Sequence, residues 1–284
     1  MSWLRLAVVG GVNLDILGAP DGRYVAQDSM IGHIRFVCGG VGRNIAAQAV
    51  HTGADVRLYT VFGDDRHAEW LRMACYEDGL KIDHAVSLHG PSPVYMAIHG
   101  TDGDMVSAVN DMSLLAQFTP AVLSQMIPDI NQADVCVADA NLPEETLASL
   151  SEQCDVPLVC DPVSMAKAQR LMPFLPRLTA IKPNRLEAQA MTGTETPAEC
   201  ADRLLARGVR MVFISLGKDG LYYADDRTCG LMTPERISTQ PQTGAGDAVT
   251  AGIAAGIGWK LDVVECARLG MQSAARHLHK MISV

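Results

Sequence analysis

Short apolar runs recur along this chain, separated by longer segments of mixed polarity. Leu6-Ala7-Val8-Val9 comes first and is closed by Gly10-Gly11; so short a run, bounded by glycine, predicts a buried strand. Residues 56–61, 135–138, 158–160, 180–182 and 211–215 read the same way. Between them the spacing predicts helices over 43–49, stopped by Thr52-Gly53, and over 67–77, closed by Gly79. Further helices start near Pro143, near Asn184 and at Thr196-Pro197-Ala198-Glu199. The last has a capping threonine, a proline at the first helical position and a glutamate placed to cap back. Strands alternating with crossover helices predict an α/β fold with a mostly parallel sheet covered on both faces. Ligands of such sheets bind beyond the carboxyl ends of the strands. Here those loops are 11–15, 139–141, Asp161, Asn184 and Gly217.

One region breaks the alternation. Residues 94–99 and 105–109 flank Gly100-Thr101-Asp102-Gly103-Asp104, a β-hairpin signal. With residues 31–37 it predicts a small antiparallel sheet standing off the main one as a lid, drawn from about 12–37 and 92–110. No repeat or linker interrupts the rest, so residues 1–284 are expected to form a single domain.

Composition narrows the function classes. A chain of 284 residues, 48% hydrophobic, can bury a large core. Its net charge is −9 with no basic run, which argues against nucleic-acid or anionic-membrane partners. The least polar run, 248–259, is shorter than the roughly 20 residues that span a bilayer. The N-terminal run is too short for a signal peptide. A cytoplasmic protein is therefore expected. Its eight cysteines include no C-x-x-C pair and read as reduced core thiols. His277 and His279 diverge on a helix and make a poor metal pair.

The chemistry concentrates in a few stretches. Thr243-Gly244-Ala245-Gly246-Asp247 leads from a polar, proline-broken segment into a run of small apolar residues, so it reads as a loop opening a buried helix. Helix-start N–H groups lack internal partners and carry partial positive charge, and glycine lets an anion approach them. Two readings fit Asp247: a carboxylate taking a proton beside an anion cradle, or an acidic residue complementing the helix dipole. Cys38-Gly39-Gly40-Val41-Gly42-Arg43-Asn44 is a glycine-rich turn that fails both the dinucleotide fingerprint and the P-loop pattern. It serves either close approach to a polyhydroxy substrate, with Asn44 on hydroxyls, or a plain helix start. Asn13 and Asp15, two apart after the first strand, share a face and suit vicinal hydroxyls or an Asx turn. Asn184-Arg185-Leu186-Glu187 fits a capping box, and equally an amide and a carboxylate near Mg²⁺-bound phosphate. Ser215-Leu216-Gly217-Lys218-Asp219-Gly220 ends a strand in a turn able to cover a nucleotide.

Taken in order, these stretches resemble the PfkB or ribokinase-like carbohydrate kinases. The likeness rests on Gly11-x-Asn13-x-Asp15, Gly39-Gly40-x-Gly42-x-Asn44, Asn184-x-x-Glu187, Gly217-x-x-Gly220 and Gly244-Ala245-Gly246-Asp247, and it spans nearly the whole chain. The resemblance implies a three-layer α/β/α kinase with Mg²⁺, ATP as co-substrate and Asp247 as the base. It implies that Gly244, Ala245 and Gly246 supply the anion hole, and that Asn13, Asp15, Gly39, Gly40 and Asn44 face the acceptor. Asn184, Ser215, Gly217 and Gly220 would lie at the nucleotide, with Glu187 reaching the metal through water. Arg43, Asn110 and Asn141 look like the pseudouridine kinase branch of the family and offer groups able to read a uracil ring. That makes pseudouridine the expected acceptor, ahead of ribokinase- or fructokinase-type sugars. A catalytically silent binding protein on the same fold is the competing class. Pro241-Gln242 departs from the family pattern and puts a monovalent-cation site there in doubt. The segment after Met271-Gln272-Ser273-Ala274-Ala275 is short, so weaker or different adenine contacts are expected. The exposed lid edge is expected to invite a homodimer.

Overall fold

The computed structural model describes residues 3–234 and 244–282. Strand β1 (Arg5–Val9) lies inside the main sheet; the chain then leaves it through β2 (Asn13–Pro20) and β3 (Gly32–Gly39). Helix α1 (Val41–Val50) returns it to β4 (Asp55–Tyr59) at the sheet edge. Next come β5 (Val61–Phe62), α2 (Arg66–Glu77), β6 (Val86–Ser87) and the hairpin β7 (Val94–His99) and β8 (Met105–Asp111). Short helices α3 (Pro120–Ser124) and α4 (Ile127–Ile130) lead to β9 (Val135–Asp139), α5 (Glu144–Gln153) and β10 (Leu158–Asp161). The alternation continues through α6 (Met165–Ala168), β11 (Ala180–Ile181), α7 (Arg185–Thr192), α8 (Pro197–Ala206) and β12 (Met211–Ser215). An antiparallel pair, β13 (Leu221–Ala224) and β14 (Cys229–Met232), precedes α9 (Ala245–Gly258) and α10 (Val263–Ile282).

The main sheet runs β14-β13-β12-β11-β10-β9-β1-β4, parallel from β4 through β12. Alternate residues of one strand serve different cores: Ala7 and Val9 of β1 join one cluster, Leu6 and Val8 the other. Burial on both faces explains the unbroken apolar runs. Strand order reverses at β1, whose neighbours are β4 and β9, and the crevice at such a reversal is where α/β sheets hold ligands. The lid sheet, β3-β2-β7-β8, carries one parallel pair, β2 with β7, between two antiparallel ones.

The expected strand 56–61 stops at Tyr59. The backbone beyond it serves a separate two-stranded sheet, with Val86 N–H donating to the Thr60 carbonyl at 3.1 Å and Leu88 to that of Phe62 at 2.8 Å. The apolar pattern does not mark β13, β14 and α10. Both halves of the Thr196–Glu199 capping box are present. All eight cysteines are free thiols. Helix α9 is buried from Ala248 through Ile257, as an all-round apolar helix must be. It meets α10 backbone to backbone: a Cβ on Gly252 would stand 2.4 Å from the Leu269 carbonyl oxygen, and one on Gly256 2.9 Å from Cys266 Sγ.

Candidate active site

The N-terminus of α9 opens onto the crevice. Gly244 caps it at φ +94, a left-handed conformation natural to glycine, with the His277 ring packed against it. The first-turn amides of this helix lack intrahelical partners, an arrangement able to cradle an anion. Asp247, in that turn, is partly buried and accepts a hydrogen bond from Asn44 Nδ2 at 3.1 Å. Burial, reinforced by the charge of Asp161, pushes its carboxyl up to about 7, against the opposing pull of Lys182 and Asn44. A carboxylate poised there can take a proton at neutral pH.

Lys182, at the end of β11, is buried with its Nζ 3.2 Å from Asp161 Oδ2. Thr250 Oγ1 donates to the same Asp161 oxygen at 2.9 Å. Burial works against the Lys182 charge, but Asp161, Asp247 and Glu187 outweigh it and hold its pKa above the usual value. The ammonium also lies against the cradle: a Cβ on Gly246 would be 3.4 Å from Nζ. Asp139, at the end of β9, is fully buried and accepts from the Gly11 and Asn141 amides at 3.0 and 2.8 Å. Burial raises its carboxyl to about 6. It ties together the two strand ends that flank the crevice.

At the start of β2, Asn13 Nδ2 donates to Asp15 Oδ1 at 2.5 Å. The Gly39-Gly40 turn passes so close to them that a Cβ on Gly39 would lie 2.3 Å from Asp15 Oδ2. Gly40 has φ +102, and its Cβ would sit 2.3 Å from the Gly11 carbonyl oxygen. These glycines are therefore needed by the fold whatever they bind. Asn141 Oδ1 accepts from Lys167 Nζ at 2.5 Å, which pairs an amide with a cation above the sheet. Arg43 pairs with Asp78 and hydrogen-bonds Asn44. Asn110 sits exposed on β8 in register with Tyr95, which is itself in register with Asp15, so the three share one row across the lid sheet.

At the start of α7, Asn184 and Glu187 form a reciprocal capping box, so that reading of the motif holds. Burial raises the Glu187 carboxyl, against the opposing pull of its bond from the Asn184 N–H and of the Lys182 charge. Ser215 N–H bonds the Pro183 carbonyl at 2.9 Å, drawing β12 against the Asn184 turn. Gly217, at φ +60, faces open space, whereas a Cβ on Gly220 would strike the Met232 carbonyl oxygen at 2.1 Å. Gly220 thus serves the β13–β14 hairpin. Among the described residues no three His, Cys, Asp or Glu side chains gather to hold a metal alone. Mg²⁺ on a polyphosphate fits such a place, since it keeps waters and phosphate oxygens and needs one or two carboxylates. Pro241, Gln242 and Thr243, where the sequence puts a monovalent-cation site in doubt, lie outside the described residues.

Sequence reasoning places Asp139 and Asp161 in ligand-facing loops but gives neither a role, and it misses Lys182 and Lys167. Their one signal is position, since Asp139, Asp161 and Lys182 each stand at the carboxyl end of a buried strand.

The chain matches the family model described as pfkB family carbohydrate kinase over residues 4–281. It is 34% identical to pseudouridine kinase of Escherichia coli strain K12 over 257 residues, 88% of this chain and 82% of that one. It is 35% identical over 255 residues to an uncharacterized sugar kinase, YeiI, of the same organism, covering 87% of this chain and 70% of that one. Among solved structures, a carbohydrate kinase from Agrobacterium tumefaciens matches with TM-score 0.84 at 28% identity, over 96% of this chain and 90% of that one. Arabidopsis thaliana ribokinase complexed with ribose and ATP shares the fold at TM-score 0.82 and 20% identity, over 96% and 92% of the two chains.

Proposed function

We propose, since this chain belongs to the pfkB family of carbohydrate kinases, that it carries the γ-phosphoryl group of ATP to the primary, 5′-type hydroxyl of a nucleoside, pseudouridine. The enzyme class is phosphotransfer to an alcohol, with ATP as co-substrate. One observation carries the mechanism: a carboxylate of near-neutral pKa, Asp247, stands in the first turn of a buried helix with its amides open to the crevice. The acceptor O–H gives its proton to Asp247. The oxygen bonds to the γ-phosphorus, the bond to the β,γ-bridging oxygen breaks, and ADP leaves. The α9 amides and the Lys182 ammonium meet the negative charge on the transferring group, the effect that dominates phosphoryl transfer. Mg²⁺, when bound, would neutralise phosphate charge, and Glu187 is the carboxylate that would help hold it. Asn184, Ser215 and Gly217 line the nucleotide side. Asn13, Asp15, Gly39, Gly40 and Asn44 line the acceptor side.

The nucleoside reading draws on the Asn141–Lys167 pair, an amide and a cation suited to the carbonyls and N–H groups of a uracil ring. The name of the Escherichia coli relative supports it. ADP release with pseudouridine, uridine, ribose and fructose 6-phosphate tests it, and kcat/KM is expected to be highest for pseudouridine. Better use of ribose or the sugar phosphate would overturn the assignment.

The lid has a role in the same reading. Strand β2 begins at Asn13 in the pocket and ends in the lid, so closure would bring the hairpin over the acceptor and exclude water. Replacing residues 100–104 with a short glycine linker is expected to raise KM for the acceptor and the rate of futile ATP hydrolysis. Unchanged kinetics would remove the lid from the mechanism. Ile34, Phe36 and Val109 are exposed on this sheet, an apolar surface fit to meet the lid of a second copy. No described helix is long and apolar enough to cross a membrane.

A further inference from the structure

We infer that Asp78 and Arg43 form a positioning chain that aims the Asn44 amide at the carboxylate of Asp247, so that a charge outside the pocket governs the alignment of the base. The inference rests on Asp247 being that base, and not on the identity of the acceptor.

Arg43 and Asn44 are adjacent on α1, where neighbouring side chains ordinarily diverge. Here the guanidinium folds back, and its Nη1 donates to Asn44 Oδ1 at 3.1 Å. Its Nη2 pairs with Asp78, the residue capping the C-terminus of α2. Its Nε is buried without a hydrogen-bond partner, so the two terminal nitrogens alone hold the fork. The chemistry of these groups leaves one arrangement. A guanidinium only donates and an ionised carboxylate only accepts, whereas an asparagine amide has one end of each kind. With Arg43 on Oδ1, the Nδ2 group must face Asp247, where it lies 3.1 Å from Oδ2. Reversing the amide would set donor against donor and acceptor against acceptor. The second Nδ2 hydrogen remains for an acceptor hydroxyl.

The other groups around Asp247 come from different elements. Asp139 ends β9, Asp161 ends β10 and Lys182 follows β11 with Glu187 beside it, while His277 of α10 packs on Gly244. None of them touches Asp78 in the hydrogen bonds and ion pairs of the described residues; beyond the amide, the charge of Arg43 also acts on Asp15, and those of Arg43 and Asp78 on the buried Cys38 and Cys75 thiols.

The test compares Asp78→Ala, Asp78→Glu, Asn44→Ala and the Asp78→Ala/Asn44→Ala double variant by ADP release, with any acceptor the wild type uses. Asp78→Ala is expected to lower kcat roughly 3- to 10-fold, the range set by one misaligned hydrogen bond. KM for ATP should stay unchanged. The acid limb of kcat/KM should move to higher pH, because the Asn44 donor favours the ionised Asp247. Asp78→Glu should restore both, and the double variant should be no slower than Asn44→Ala. Should Asp78→Ala not fold, Asp78→Asn replaces it. An unmoved acid limb, losses that multiply in the double variant, or altered choice between acceptors in place of a pH effect would each overturn the chain. If Asp247→Asn stays active, the base assignment fails; if it is inactive while Asp78→Ala behaves as wild type, only the chain fails.

Discussion

Asp247→Asn is expected to lower kcat by about 10²–10⁴-fold, the usual contribution of a positioned general base, and at the same time to make the protein more stable above neutral pH. The substitution keeps the shape of the side chain and its place beside Asn44, so the fold should persist. Its kinetic sign follows from protonation. The free carboxyl, held at about 7 chiefly by burial, must lose its proton before it can accept one. Wild-type kcat/KM should therefore fall as pH drops below about 7, and the residual rate of the variant should lack that limb. The stability sign is opposite to that of an ordinary salt-bridged aspartate. The folded pKa of about 7 lies above the ordinary value of 3.8, so the folded state holds the proton more tightly than the unfolded chain. That contribution is complete below the unfolded pKa and disappears as pH rises through the folded one. Above it the wild type carries a poorly solvated charge that the neutral amide of the variant would not. Thermal melts on both sides of neutrality, with ADP-release kinetics, check both effects. Near wild-type kcat would remove Asp247 from the mechanism, and equal melting temperatures at high pH would show that the carboxylate is not desolvated.

Lys182→Met is expected to cost about 3–5 kcal/mol of stability, because removing one partner of a buried ion pair strands the other. Asp161 would keep Thr250 as a donor but lose its countercharge. The same change removes a cation that favours ionised Asp247, so the acid limb of any remaining activity should shift upward. Urea unfolding measures the first effect and the pH profile the second. Pairing Lys182→Met with Asp161→Asn should recover part of the stability and none of the rate. A loss below about 1 kcal/mol, the scale of surface pairs, would mean that water reaches the pair.

The layered fold is legible in the sequence because its signal is local. Strands buried on both faces read as apolar runs, and the Thr196 and Asn184 caps are spelled out within four residues. The kinase motifs are legible as an ordered series. What the sequence does not disclose is what forms only when distant segments converge. Asn44 and Asp247 are 203 positions apart, and Thr250 and Asp161 are 89 apart. Asp161 and Lys182 each look like a stray charge closing a strand until β10 and β11 are set side by side. In the sequence Arg43 looks like a reader of the base ring, because its partner Asp78 stands 35 positions away, across α2. Strand β2 reads only as a polar loop and part of the lid, since its pairing with β7 is parallel and spans some eighty residues of chain.

The backbone contact between α9 and α10 also shapes how this chain can drift. The cradle amides belong to the first turn of a helix that is wedged, at Gly252 and Gly256, against its neighbour. A methyl group at either position adds no charge and touches no substrate. It would nonetheless push α9 along or away from α10, and a shift of about 1 Å can cost two orders of magnitude in rate. Gly252→Ala or Gly256→Ala is thus expected to cost rate through the absence of room for a side chain, far from any group placed at the site.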